Sequence, residues 1–240
     1  MAVTAKVFCT VSQIIDHGGR VYTLELFPEK QIPRFSPGQF LHLAIDAYDA
    51  TGFWPESRVF SVASSPVDRN CLRITYSVVG RFTERMEREL RVGSKIWVKL
   101  PYGDFLISRE RDAVLFAGGT GITAFTAFLE SLSPENSQRV TLFYGAKNSQ
   151  LLIYRELTER IRQKSSLFRV FYFCESQTEN RKLSAIDKLG RLSVSAVWQL
   201  ITDPYKSDYY LSGPPGMLKT IKQELLDQSL PQDAIHIDAW

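Results

Sequence analysis

Arg58-Val59-Phe60-Ser61 sets a cation, a flat ring and a hydroxyl at alternating or adjacent positions of what reads as a strand. That set suits an aromatic cofactor that also carries phosphate, because a guanidinium offers paired donors to an anion and a ring offers a stacking face. Further along, Ala117-Gly118-Gly119-Thr120-Gly121-Ile122 is a glycine-rich turn of the kind whose backbone can approach phosphate closely. Near the end stands Ser212-Gly213-Pro214-Pro215-Gly216-Met217. In that order the three segments suggest a flavin site followed by a nicotinamide site.

The elements that must position these residues change character along the chain. Val3 to Val11, Val21 to Phe27, Phe40 to Ile45, Val59 to Ala63, Leu72 to Val78 and Ile96 to Leu100 are short β-branched or aromatic runs punctuated by glycine and proline. Such spacing predicts a small antiparallel β-barrel. One helix interrupts it, with Phe82, Met86 and Leu90 on one stripe and charged residues on the other side. Its start lies beside Gly80 and Thr83, where unpaired amides favour a pyrophosphate and Arg81 adds charge. A helix start used in this way favours FAD over FMN.

The charged run Ser108-Arg-Glu-Arg-Asp112 marks a boundary, so the expected domains are 1–108 and 109–240. Beyond it, strands at Ala113 to Ala117, Val140 to Tyr144, Phe168 to Phe173 and Tyr209 to Ser212 alternate with helical patterns. This βαβ succession predicts a parallel sheet with right-handed crossovers. Ligands on such sheets bind outside the carboxyl ends of the strands, where Gly118 to Gly121, Gly145-Ala146-Lys147 and Gly213-Pro214 all fall. Gly119-Thr-Gly121-Ile-Thr-Ala124 matches the dinucleotide pattern in its strand-to-helix setting. The second strand lacks the acidic residue that would hold a ribose 2′-hydroxyl. Lys147 stands there instead, where it could receive a 2′-phosphate, which tilts the choice toward NADPH over NADH.

Composition bounds the rest. With 240 residues, 44% of them hydrophobic, the chain can bury a large core. A net charge of +3, from 29 basic and 26 acidic residues, is too mild to argue for nucleic acid or a membrane surface, and it permits an acidic electron-transfer partner. Cys9, Cys71 and Cys174 are widely spaced without a C-x-x-C pair, so neither a disulfide framework nor a metal cluster is expected. Ala113 to Leu129 carries no charge, yet its glycine cluster and three threonines read as a buried strand and helix rather than a membrane span. The first ten residues alternate in character and do not form the apolar stretch of a signal peptide. The expectation is a cytoplasmic protein without membrane insertion.

These motifs together resemble the ferredoxin–NADP reductase family of flavoenzymes over essentially the whole chain. Arg58-Val-Phe-Ser61 resembles its R-x-Y-S, Gly80-Arg-Phe-Thr83 its flavin pyrophosphate turn, and Pro101-Tyr-Gly-Asp-Phe105 the segment that precedes its second domain. Ala117-Gly-Gly-Thr-Gly-Ile122 resembles its A-G-G-T-G-I/V, and Ser212-Gly-Pro-Pro-Gly-Met217 its C-G-P-x-x-M. The resemblance implies that Arg58 neutralises flavin phosphate, Phe60 stacks on the isoalloxazine and Ser61 hydrogen-bonds near the hydride-accepting nitrogen. It implies that the main chain of Ile74, Thr75 and Tyr76 edges the flavin ring, and that Gly80, Arg81, Phe82 and Thr83 hold the pyrophosphate. Gly119, Thr120, Gly121, Lys147, Gly213, Pro214 and Met217 would take the nicotinamide nucleotide, with Thr120 lining the domain junction.

Two residues depart from the family pattern. Phe60 replaces a tyrosine, keeping the ring and losing a hydroxyl, and Ser212 replaces the cysteine expected beside the nicotinamide. The terminal Trp240 resembles the ring that covers the flavin in some members until nicotinamide displaces it. Ser61, Ser212 and Trp240 are therefore the catalytic candidates. The implied activity is hydride transfer from NADPH or NADH to bound FAD, then electron delivery to a separate acceptor such as ferredoxin, flavodoxin or an oxygenase component. The alternatives are a reductase of free flavin or ferric iron, and a non-catalytic electron-transfer subunit that keeps the fold.

Overall fold

A computed structural model describes residues 3–49, 51–133, 137–176 and 187–238. The chain forms two compact units, Met1–Leu106 with Thr126–Phe128 and Ile107–Phe125 with Leu129–Trp240.

In the first unit, β1 (Ala5–Asp16), β2 (Val21–Pro28), β3 (Phe40–Ala44), β4 (Ser57–Ser61), β5 (Leu72–Ser77) and β6 (Lys95–Tyr102) form one sheet in the order β4-β3-β6-β1-β2-β5. Every pairing in it is antiparallel. The sheet curls until its two edges meet: Ala63 N donates to Arg73 O at 2.8 Å, tying the chain just past β4 to β5. This is the expected barrel, nearly closed. Strand alternation sends Val7, Leu24, Leu41, Leu43, Leu72 and Ile96 into a common core.

Helix α1 (Arg81–Glu89) follows β5, and its Phe82, Met86 and Leu90 stripe joins that core. Phe82 is buried, so Phe82→Ala is expected to cost about 3–5 kcal/mol of stability through lost burial and a residual cavity. The check is a lower urea midpoint in tryptophan fluorescence.

In the second unit all strands run parallel: β7 (Asp112–Gly118), β8 (Val140–Ala146), β9 (Phe168–Cys174), β10 (Asp187–Leu189), β11 (Ser207–Ser212) and β12 (Ile235–Asp238). Their order is β10-β9-β8-β7-β11-β12. The crossovers carry α2 (Thr123–Glu130), α3 (Arg155–Lys164), α4 (Val194–Val197) and α5 (Pro215–Asp227). The chain leaves β7 for β8 on one side and returns to β11 on the other. The topological switch point therefore lies between β7 and β11.

Two strands were not expected from sequence, β10 and β12. Each is short, with three and four residues, and parallel pairing to a longer neighbour holds it rather than strong local alternation. Strand β1 runs on to Asp16, past the predicted end at Val11, through an irregularity between Val11 and Gln13. Among the described residues no helix is long and apolar enough to cross a membrane.

Candidate functional site

The seam between β4 and β5 is the first part of the site. Val62 N donates to Gln39 O at 3.0 Å, so by alternation Val59 and Ser61 turn their main-chain groups away from β3. On β5, Val78 N donates to Arg20 O at 3.0 Å, which turns Tyr76 and Ile74 toward β2 and leaves Arg73, Thr75 and Ser77 facing outward. Past the Ala63–Arg73 bond, Ser61 and Thr75 thus direct backbone polar groups into the seam from its two sides. Of the predicted trio Ile74, Thr75 and Tyr76, only Thr75 has its main chain on that edge.

The side chains around the seam are fixed from behind. Thr75 Oγ1 bonds Thr23 Oγ1 at 2.7 Å, and Thr23 Oγ1 bonds His17 Nε2 at 2.8 Å. Burial lowers the His17 pKa, against the opposing pull of Asp16. Phe60 is half-buried and meets the buried Tyr76 ring edge-on, with centroids 6.0 Å apart at 62°. Burial pushes the Tyr76 phenol well above its ordinary range.

Arg58, two residues before Phe60, lies with its guanidinium 5.2 Å from the Phe82 ring centroid, a cation–π contact across β4 and α1. Its Nη2 lies 3.1 Å from Glu56 Oε1 and its Nη1 donates to Ser57 O at 2.8 Å. Arg81, largely exposed, reaches the same carboxylate at 3.4 Å. At the helix start, Thr83 Oγ1 accepts from Val79 N and Gly80 N and donates to Gly80 O. The first helical bond is Glu84 N to Gly80 O, so the amides of Arg81, Phe82 and Thr83 precede the helical ladder. Gly80 has φ −173, which any residue adopts, and a Cβ there would meet nothing within 4 Å. Neither strain nor the chain's own packing requires glycine at 80. Two cations, leading amides and an aromatic face are a donor set that fits FAD.

The second part lies at the switch point. A Cβ on Gly118 would sit 2.5 Å from Met217 Sδ and 2.9 Å from Pro214 Cδ. One on Gly121 would fall into the main chain of Ser212 and Gly213, 2.5 Å from the Ser212 carbonyl carbon and 2.6 Å from Gly213 N. These two glycines serve the packing of one turn on another. Gly119 is different: its φ is +53 and a Cβ there would meet nothing, so it supplies the left-handed turn and leaves its outer side open. The half-buried Thr120 accepts at its carbonyl from Thr123 Oγ1 at 2.8 Å, and Ala124 is buried at the start of α2. Gly213 and the exposed Pro214 sit at the carboxyl end of β11, with Met217 packed over Gly118.

Ser212 is almost fully buried, and its Oγ donates to Asp238 Oδ2 at 3.0 Å, across the parallel pair β11–β12. Lys147 is exposed beyond β8, and its carbonyl accepts from Ser176 N and Ser176 Oγ, both at 3.0 Å. Glu175 N donates to Ala146 O at 3.2 Å, which sets Glu175 across from the end of β8. Arg191 lies 3.5 Å from that carboxylate. Trp240 lies outside the described residues.

Asp238 and Glu175 were not among the residues predicted from sequence. Asp238 ends a strand too short to be read locally. Glu175 follows the predicted strand Phe168 to Phe173 closely, one strand beyond the one at whose end the local pattern expects an acidic residue. Burial pushes the Cys9 thiol up to about 12, which keeps it protonated.

A near-closed barrel with a cationic, aromatic seam, joined in sequence to a parallel sheet with glycine turns at its switch point, defines a flavin- and nicotinamide-binding oxidoreductase class. Residues 115–223 match the oxidoreductase NAD-binding domain family. The flavohemoprotein of Deinococcus radiodurans is 27% identical over 215 residues, covering 88% of this chain and 53% of its own. The phenol 2-monooxygenase reductase component DmpP of Pseudomonas sp. (strain CF600) is 26% identical over 248 residues, covering 96% of this chain and 64% of its own. The fold matches the FAD/NAD-binding domain of nitric oxide dioxygenase from Vibrio cholerae, with a TM-score of 0.80 at 20% identity and 98% of both chains covered. Over most of its length the chain is similar to reductase components of this kind, and residues 115–223 carry the oxidoreductase NAD-binding domain. It spans between about half and two thirds of the length of the first of these curated relatives, 53% and 64% for the two named.

Proposed function

We propose that this chain takes hydride from NAD(P)H onto FAD and passes the electrons to a separate acceptor protein, such as a ferredoxin, a flavodoxin or an oxygenase component. The observation that carries this reading is the β4–β5 seam, where Ser61 and Thr75 present main-chain groups beside Phe60 and the two arginines. When bound, FAD supplies acceptance of two electrons together and their release one at a time. Arg58 and Arg81 neutralise its phosphates, the leading amides of α1 add donors, and Phe60 lends a face to the ring. Ser61 and Thr75 fix the ring edge, and the Thr23–His17 chain holds Thr75 in place.

On the other unit, Gly119 and Thr120 admit the nucleotide pyrophosphate, while Gly118, Gly121 and Gly213 let the two turns pack closely enough to shape that site. Asp238 holds the Ser212 hydroxyl, so Ser212 presents its small bulk to the nicotinamide. We place the domain boundary near 108 and the protein in the cytoplasm.

The test is anaerobic stopped-flow absorbance of flavin-loaded protein with NADH and NADPH in separate runs. Bleaching near about 450 nm with either donor supports the reading, since arrival of hydride removes the oxidised absorption. Flavin that stays oxidised with both moves the assignment to a non-catalytic subunit. Arg58→Ala is expected to weaken FAD binding about 10- to 100-fold, the loss of a charge-assisted hydrogen bond worth roughly 1.5–3 kcal/mol. Titration of the apoprotein by flavin fluorescence reads it directly.

A further inference from the structure

Arg58 and Arg81, assigned above to the flavin phosphates, converge on a single carboxylate. Glu56 lies 3.1 Å from Arg58 and 3.4 Å from Arg81, at the residue immediately before β4. It abuts β4, and its carboxylate meets both guanidinium groups.

Two arginines and one carboxylate leave one net positive charge to meet a pyrophosphate. Without the carboxylate there would be two. We propose that Glu56 is a built-in anionic competitor for the flavin phosphates, which lowers flavin affinity and makes the flavin exchangeable. This rests on the flavin reading above. It also gives a physical basis for the second reading from sequence, in which flavin is released as a product. A flavin must leave both cations to dissociate, and Glu56 receives them as it goes.

The opposite role is a brace that holds the arginines in place for phosphate. Glu56→Gln separates the two, because the amide oxygen still accepts from both guanidinium groups while the charge is gone. The experiment titrates wild-type and Glu56→Gln apoprotein with FAD and with riboflavin, at low and at high ionic strength. A competitor predicts FAD binding about 2- to 5-fold tighter in the variant at low salt, the scale of a partly exposed ion pair. Screening should shrink that difference toward unity at about 1 M salt. Riboflavin has no phosphate, so its affinity should not change.

Equal or weaker FAD binding by the variant overturns the proposal, as does equal tightening for riboflavin. Should wild-type protein bind neither flavin, the flavin reading itself falls. Binding of FAD by wild type with no gain in the variant removes only the role of Glu56.

Discussion

Gly121→Ala should leave FAD bound at wild-type stoichiometry and slow flavin reduction by NAD(P)H at least about 100-fold, the scale at which a displacement of about 1 Å is felt in catalysis. The added methyl has no room. It would lie 2.5 Å from the Ser212 carbonyl carbon and 2.6 Å from Gly213 N, which are backbone atoms of the turn after β11 rather than the yielding end of a long side chain. Either the turn after β7 or the turn after β11 has to move, and both flank the switch point where the nucleotide is placed. Overpacking of this kind also costs about 1–3 kcal/mol. The strain falls in the second unit, and no barrel residue lies among the three nearest contacts of that methyl.

The readout is split accordingly. Flavin content from absorbance reports on the barrel, and stopped-flow reduction reports on the nucleotide turns. Gly93→Ala is the matched control, because a methyl there meets nothing within 4 Å, its cost is confined to a residue held at φ +93, and Gly93 has no part in the nucleotide turns. A wild-type reduction rate in Gly121→Ala would remove the assignment of these turns to nicotinamide.

The contrast among these glycines shows what sequence could carry. The pattern Gly119-Thr-Gly121-Ile-Thr-Ala124 announced a nucleotide turn, because a strand, a tight turn and a helix start are all local. That Gly118 and Gly121 are filled by Met217, Pro214 and Ser212, residues about ninety positions away, depends on the order of β7 and β11 in the sheet, which no local pattern encodes. The barrel was legible for the same reason as the turn, since alternating strands and punctuating turns are read within short windows. Its seam was not. That Thr75 alone of Ile74, Thr75 and Tyr76 faces outward follows from the register of β5 on β2, and register is set by pairing partners rather than by composition. Glu56 was likewise visible only as one charge in a loop until Arg81 on α1 came to lie beside it.

Glu175→Lys should raise the ratio of kcat/KM for NADPH to that for NADH by about 10- to 100-fold, and Glu175→Gln should move it the same way by less. The sequence pointed to Lys147 and hence to a 2′-phosphate. The structure sets Glu175 across from the end of β8 through the bond from Glu175 N to Ala146 O, at the carboxyl strand ends proposed for the nucleotide. A carboxylate there accepts from a ribose 2′-hydroxyl and repels a 2′-phosphate. With the two charges about 6 Å apart, the repulsion per unit charge is roughly 0.7 kcal/mol in water and about 3 kcal/mol at an effective dielectric of 20. A phosphate carrying nearly two charges then accounts for a factor of ten or more. Arg191, 3.5 Å from Glu175, would be released toward the phosphate by either substitution and adds in the same direction. Steady-state kinetics with each nucleotide checks the ratio, and because the expectation concerns the ratio it holds whichever donor the wild-type protein prefers. If Lys147 alone governs the choice, Lys147→Ala will change the ratio while both Glu175 variants leave it where it was.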